Sequence, residues 1–221
     1  MIAARSTRIN DKSAMNWTPA ALSQDIPSGS AAPGQLGDKD IVIWRSASGR
    51  IAAWSDRCPH RGMRLSHGFV RGEFLSCIYH GWRYGDGGQC HRIPAHPELT
   101  PPEAIKVPVF AVVESGGIVW VAEKDAEPAD LPMEFAGFAS FRTIRTTVPA
   151  SIVAAAFGCT GLELRGTLGG TDVVLLLQPL TDGCNLHVLA ADGTGPDQLD
   201  RVSVAVEALR RQAESVQEFA A

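Results

Sequence analysis

No apolar run in the 221 residues approaches the roughly 20 that a membrane-spanning helix needs. The two best candidates, VPASIVAAAFG at 148–158 and VVLLLQPL at 173–180, are short and contain proline. No membrane association is expected. Positive charge is also scarce, with 20 Lys and Arg against 24 Asp and Glu and a formal charge of -4. A nucleic-acid partner is not expected, because that composition lacks the basic excess such binders carry. The opening MIAARSTRINDKS has no continuous apolar segment followed by a small-residue cleavage site, so a cytoplasmic location is expected. Cysteine is sparse and odd in number, five residues dispersed at 58, 77, 90, 159 and 184. That excludes the dense, even framework of a small secreted domain and leaves metal binding or plain burial. Histidine all but disappears after residue 96, where His187 stands alone. No internal repeat or low-complexity tract is visible.

What is present is enough apolar residue, 45% of the chain, to hold one large or two small domains by burial. Residues 1–14 read as a flexible polar lead-in. Over 15–124, short β-branched and aromatic runs alternate with Gly, Pro and Ser: DIVIWRS, GRIAAWS, GEFLSCIYH, IKVPVFAVVE and GGIVWVAE. This pattern predicts antiparallel strands, with turns at SASGR, GDGGQ and ESGGI. The acidic, proline-bearing stretch over 125–138 reads as a linker. Over 139–221, FRTIRTTV, LELRGTL, DVVLLLQPL and CNLHVLAA predict further strands. Leu199, Val202, Val206, Leu209, Ala213 and Val216 recur at three- and four-residue steps, which predicts a long terminal helix, with Asp197 and Asp200 in its cap and first turn.

The stretch RCPHRGMRLSHGFVRGEFLSCIYHGW, residues 57–82, carries the chemistry. Cys58 and His60 are separated by 16 residues from His60 to Cys77, and Cys77 is followed by His80. Two Cys and two His can close a tetrahedral zinc site. Order favours something else: zinc fingers commonly group Cys with Cys and His with His, whereas each loop here has one of each. That distribution fits an asymmetric two-iron cluster in which one iron takes both thiolates and the other both imidazoles. Gly62 and Gly81 follow the two histidines and allow close backbone approach.

C-x-H, 16 residues, C-x-x-H resembles the Rieske motif. CPHRGMRLSHG and CIYHGWRYGDGGQCHRIPAHP are further similar to the Rieske domain of the non-haem iron oxygenases, over about residues 16–124. The resemblance implies a mainly β Rieske domain with two cluster-binding hairpin loops, followed by a small α+β domain with a long C-terminal helix. It implies one 2Fe-2S cluster held by Cys58, His60, Cys77 and His80, with the imidazoles toward solvent. High-potential Rieske proteins have a disulfide between two extra cysteines; the equivalent positions here are Met63 and Tyr79. They also have a serine that bonds a bridging sulfide, where this chain has Trp82. Fewer hydrogen bonds to sulfur place the expected potential toward the low end of the Rieske range.

The oxygenases also hold a mononuclear iron through two histidines and a carboxylate. With only His187 after residue 96, such a triad cannot come from this C-terminal region, and no mononuclear iron is expected. His91 and His96 have H-x4-H spacing but belong to the Rieske segment and read as ordinary loop residues, with Cys90 structural. His187 reads as a hydrogen-bonded strand residue; Cys159 and Cys184 read as buried apolar ones. Residues 139–221 are thus expected to be a reduced relic of the catalytic domain. The resulting expectation is an electron-transfer protein relaying from a reductase to a non-haem iron oxygenase partner, within a homo- or hetero-oligomer. The alternative is an oxygenase subunit with a non-standard or shared iron site.

Overall fold

The computed structural model describes residues 17–126 and 135–218. The lead-in expected over 1–14, and residues 127–134 of the expected linker, lie outside the described residues. Among the described residues two compact units emerge, one of residues 17–114 and 119–126, the other of residues 115–118 and 135–218.

The first unit is built on a six-stranded sheet and a small four-stranded one. The large sheet contains β1 (Thr18–Leu22), β2 (Ala31–Leu36), β3 (Lys39–Arg45) and β4 (Ile51–Ser55). The small sheet follows as β5 (Phe69–Arg71), β6 (Phe74–Ser76), β7 (Arg83–Tyr84) and β8 (Cys90–Arg92), before β9 (Val109–Ser115) and β10 (Ile118–Ala122) return to the large sheet. Strand order is β1-β10-β9-β4-β3-β2 in one and β5-β6-β7-β8 in the other.

The two-residue period of β3 explains why a continuous apolar run suits it. Ile41 and Ile43 enter one core with Ala53, Val119 and Val121, while Val42 and Trp44 enter a second core with Trp54, Leu75, Tyr84, Cys58 and Cys77. Trp44 and Trp54 meet edge to face at 4.7 Å. Each large side chain so buried contributes about 1.5–3 kcal/mol, and the second core forms the floor beneath the two cysteines.

The second unit is a four-stranded antiparallel sheet in the order β11-β14-β13-β12, with two helices. Its elements are β11 (Phe138–Thr146), α1 (Ala150–Ala156), β12 (Glu163–Leu168), β13 (Thr171–Leu180), β14 (Gly183–Ala191) and α2 (Pro196–Glu218). Val202, Val206, Leu209 and Ala213 of α2 are buried against Val153, Leu175, Leu186 and their neighbours. Val216 departs from the expected stripe: it is 53% exposed, beside Ile152 and Ala156 of α1. The helix start also differs in detail. Gly195 accepts the first helical bonds, Pro196 opens the helix, and Gln198 rather than Asp197 reaches back to the Gly195 N–H at 3.2 Å. Among the described residues no helix is long and apolar enough to cross a membrane.

Candidate metal centre

Cys58 and Cys77 begin two loops with the same backbone frame. In the first, the Gly62 N–H donates to the Cys58 carbonyl at 2.8 Å and the Cys58 N–H donates to the Met63 carbonyl at 2.8 Å. In the second, Gly81 donates to Cys77 at 3.0 Å and Cys77 to Trp82 at 2.9 Å. Both glycines are left-handed, with φ of +72° and +70°, a conformation that costs an L side chain about 1–2 kcal/mol. The second loop closes the β6–β7 hairpin, and its frame is why GEFLSCIYH stops being strand at Ser76. The first loop runs from β4 to β5 through a 3-10 turn at Leu65–His67.

Loop one is held by a buried carboxylate. Asp56 accepts from the Ser66 N–H and from the Ser66 hydroxyl, both at 2.7 Å, and from Arg64 at 3.2 Å. Arg64 reaches on to Asp40 at 2.6 Å. The loops meet at Gly68, where an added Cβ would lie 2.3 Å from the Ser76 carbonyl oxygen, one residue before Cys77. Only glycine permits that approach, and it brings the two cysteine loops side by side.

The four sequence-predicted residues segregate by burial. Cys58 and Cys77 are 2% and 1% exposed and belong to one buried core cluster. The imidazoles of His60 and His80 sit with ring centroids 4.6 Å apart, His60 half-buried and His80 exposed. Trp82 stacks on His60 at 4.3 Å, nearly parallel at 7°, while Tyr79 lies against His80 at 3.9 Å. Among the described residues no three His, Cys, Asp or Glu side chains converge where one metal ion could sit. The donors form two pairs instead, sulfur inside and nitrogen outside.

Burial pushes the Cys77 thiol up, helped by the neighbouring Cys58, and desolvation, then the charges of His80 and Arg61, lower His60. A metal at the Cys77 sulfur therefore has to displace a proton that the fold favours keeping. Tyr84 was not singled out by sequence. Its fully buried hydroxyl lies 3.1 Å from Cys58 Sγ, and burial and that contact raise its pKa. The available signal was a tyrosine two residues past Trp82 in a strand whose alternation turns it inward. Soft sulfur in a dry pocket, imidazole nitrogen at the surface and a hydroxyl aimed at one sulfur fit a two-iron sulfur cluster.

The remaining candidates do not join them. His91 and His96 are exposed, His91 packing its ring edge against Phe74 at 5.2 Å. Cys90 is buried in the same core as Cys58 and Cys77, with its pKa raised by burial. In the second unit, buried His187 bonds Thr143 through Nδ1 at 2.9 Å and Gln178 through Nε2 at 3.3 Å. Burial pushes Cys184 up to about 12, and Cys159 is half-buried.

A model of the Rieske [2Fe-2S] domain matches residues 16–111. The oxidoreductase NdmD of Pseudomonas putida is 40% identical over 118 residues, which are 52% of this chain and 20% of that protein. The 3-chlorobenzoate-3,4-dioxygenase oxygenase subunit of Comamonas testosteroni is 36% identical over 108 residues, 48% of this chain and 25% of its own length. The chain therefore spans a quarter or less of the length of these relatives. The crystal structure of dicamba monooxygenase bound to dicamba superposes with a TM-score of 0.74 at 21% identity, covering 90% of this chain and 85% of that one, and so shares the fold. Over residues 16–111 the chain is accordingly similar to the Rieske [2Fe-2S] domain.

Proposed function

We propose that this chain is a one-electron carrier, relaying electrons from a reductase to a non-haem iron oxygenase partner. Cys58 and Cys77 would hold one iron, and His60 and His80 the other, of a single [2Fe-2S] cluster. The observation that carries this reading is the segregation of the donors, two buried thiols below two adjacent imidazoles that reach the surface. A single tetrahedral ion needs all four donors around one point; two pairs suit two metals.

When bound, the cluster supplies reversible one-electron chemistry. The protein supplies the rest. As thiolates Cys58 and Cys77 would provide negative charge where water is excluded, and the Tyr84 hydroxyl, 3.1 Å away, would donate to Cys58. Trp82 fixes the plane of the His60 ring by stacking. The exposed edge of His80 offers the shortest protein route to a partner. In this reading residues 139–221 are a reduced form of an oxygenase catalytic domain, kept for packing or association, and the protein works in the cytoplasm within an oligomer.

The test is reconstitution with iron and sulfide. Two irons and two acid-labile sulfides per chain, with the electron paramagnetic resonance spectrum of a Rieske centre in the reduced state, are expected. A third iron together with substrate-dependent oxygen uptake would replace the relay with an oxygenase.

A further inference from the structure

Between Arg57 and Arg92 the chain carries six arginines and two carboxylates, Glu73 and Asp86, an excess of four positive charges in a chain of net charge -4. Among the described residues only Arg64 of the six is ion-paired, to Asp40 and Asp56. Among the described residues Arg57, Arg61, Arg71, Arg83 and Arg92 have no carboxylate within salt-bridge distance. The two local carboxylates are engaged elsewhere, Asp86 with Arg50 and Glu73 with Ser48. Elsewhere Arg45, Arg50, Arg142, Arg145, Arg165 and Arg210 each have an acidic partner, and among the described residues only Arg201 and Arg211 of α2 have none. Arg83 and Arg92 even stand directly opposite each other across β7 and β8, a like-charge pairing that destabilises a sheet unless an anion relieves it.

Part of this charge borders the imidazoles. Arg61 follows His60, and the Arg57 guanidinium lies over Gly62, where an added Cβ would meet its Nε at 3.2 Å. Beside His80, Ile78 and Tyr79 are 56% and 54% exposed, two large apolar side chains left in water. An apolar centre with an unneutralised charged rim is the anatomy of a transient protein interface.

We propose that the face formed by Ile78, Tyr79 and His80, with Arg57 and Arg61 on its rim, docks an electron-donor protein that presents a cluster of carboxylates. The inference rests on the relay reading above and adds the chemistry of the partner. One electron leaves the donor, which is oxidised, and one enters the Rieske centre, which is reduced. Opposite charge steers the encounter, and the apolar pair holds the edge of His80 against the donor.

The probe is a reduced plant-type [2Fe-2S] ferredoxin, an acidic donor whose potential lies below the Rieske range, mixed with the reconstituted full chain in a stopped-flow instrument. The second-order rate constant is expected to fall steeply with added salt. At low salt, Arg57→Glu/Arg61→Glu is expected to slow reduction by roughly ten-fold or more. Arg201→Glu, an exposed charge reversal on α2, is expected to leave the rate unchanged. Rates are normalised to the reduced-cluster signal. Ile78→Glu, which puts negative charge in the centre of the face, serves as a second variant and is expected to slow the reaction as well. A salt-independent rate, or wild-type rates in both loop variants, would overturn the docking face while a Rieske spectrum leaves the carrier reading standing. If no Rieske spectrum forms, the carrier reading fails. Fluorescence titration with oxidised ferredoxin then decides the surface: salt-sensitive binding lost in the double variant supports it, and its absence overturns it.

Discussion

The loops at Cys58–Met63 and Cys77–Trp82 share one backbone frame and differ in what surrounds it. Each returns a glycine N–H to the cysteine carbonyl and places the next residue, Met63 or Trp82, to accept from the cysteine N–H. Histidine sits two residues after cysteine in one and three after it in the other. That single-residue offset lets two similar turns present imidazoles next to each other, His60 under Trp82 and His80 open to solvent. The first loop is also anchored by a buried carboxylate, and its cysteine alone has the Tyr84 hydroxyl. Similar local geometry therefore yields one fixed side and one accessible side.

The strongest way to break the comparison is Asp56→Ala. It removes the acceptor for two Ser66 donors and one contact of Arg64, for an expected loss of about 2–4 kcal/mol in urea unfolding. Iron per reconstituted chain should fall with it. Wild-type stability and iron content would show that loop one needs no anchor. Next in size are the paired glycines. Gly62→Ala and Gly81→Ala each force a left-handed alanine, costing about 1–2 kcal/mol. Gly81→Ala should cost more, because its Cβ would meet the Pro94 ring at 3.1 Å, whereas Gly62 faces the flexible Arg57 side chain. Thermal midpoints that rank the other way would sink the assignment of equivalent frames.

Tyr84→Phe sharpens the difference at the sulfurs. Losing a hydrogen bond to Cys58 removes stabilisation of the more negative reduced cluster, so the potential should drop by about 40–60 mV, equivalent to roughly 1–1.4 kcal/mol. Protein-film voltammetry reads it directly, and an unchanged potential would mean that the hydroxyl does not engage the sulfur in the loaded protein. The smallest effect belongs to Tyr79→Ala. Because the side chain is more than half exposed, folding stability should change by no more than about 0.5 kcal/mol. A large loss in chemical denaturation would place Tyr79 in the scaffold instead of on the open side.

Much of the fold was legible because β-branched and aromatic runs fit pleated sheets with little ambiguity. β3, β4, β10, β13 and β14 fall where DIVIWRS, GRIAAWS, GGIVWVAE, DVVLLLQPL and CNLHVLAA place strands. β2 escaped notice because AAPGQL contains Pro33 and Gly34, residues that weaken a strand and are tolerated here at the sheet edge. α1 is only seven residues of mostly alanine and valine, too short for a periodic signal. Val216 continues the α2 pattern but lies beyond the part of the helix that the sheet covers. At the centre, the Cys and His spacing was readable, while the Asp56, Arg64 and Asp40 chain was not, since an acid in a loop ordinarily reads as solvated.

The sequence by itself carried the spacing of Cys58, His60, Cys77 and His80 and the glycines that follow each histidine. These are properties of residue type and short-range spacing, and a turn of five or six residues closes its own hydrogen bonds. Tertiary structure alone decided that the sulfurs are dry, that Tyr84 meets Cys58 from 26 residues away, that His60 is half-covered and His80 is not, and that, among the described residues, five of the six arginines between Arg57 and Arg92 have no ion pair. Burial and charge neutralisation depend on which distant strands the fold lays over a side chain, and no local spacing encodes that.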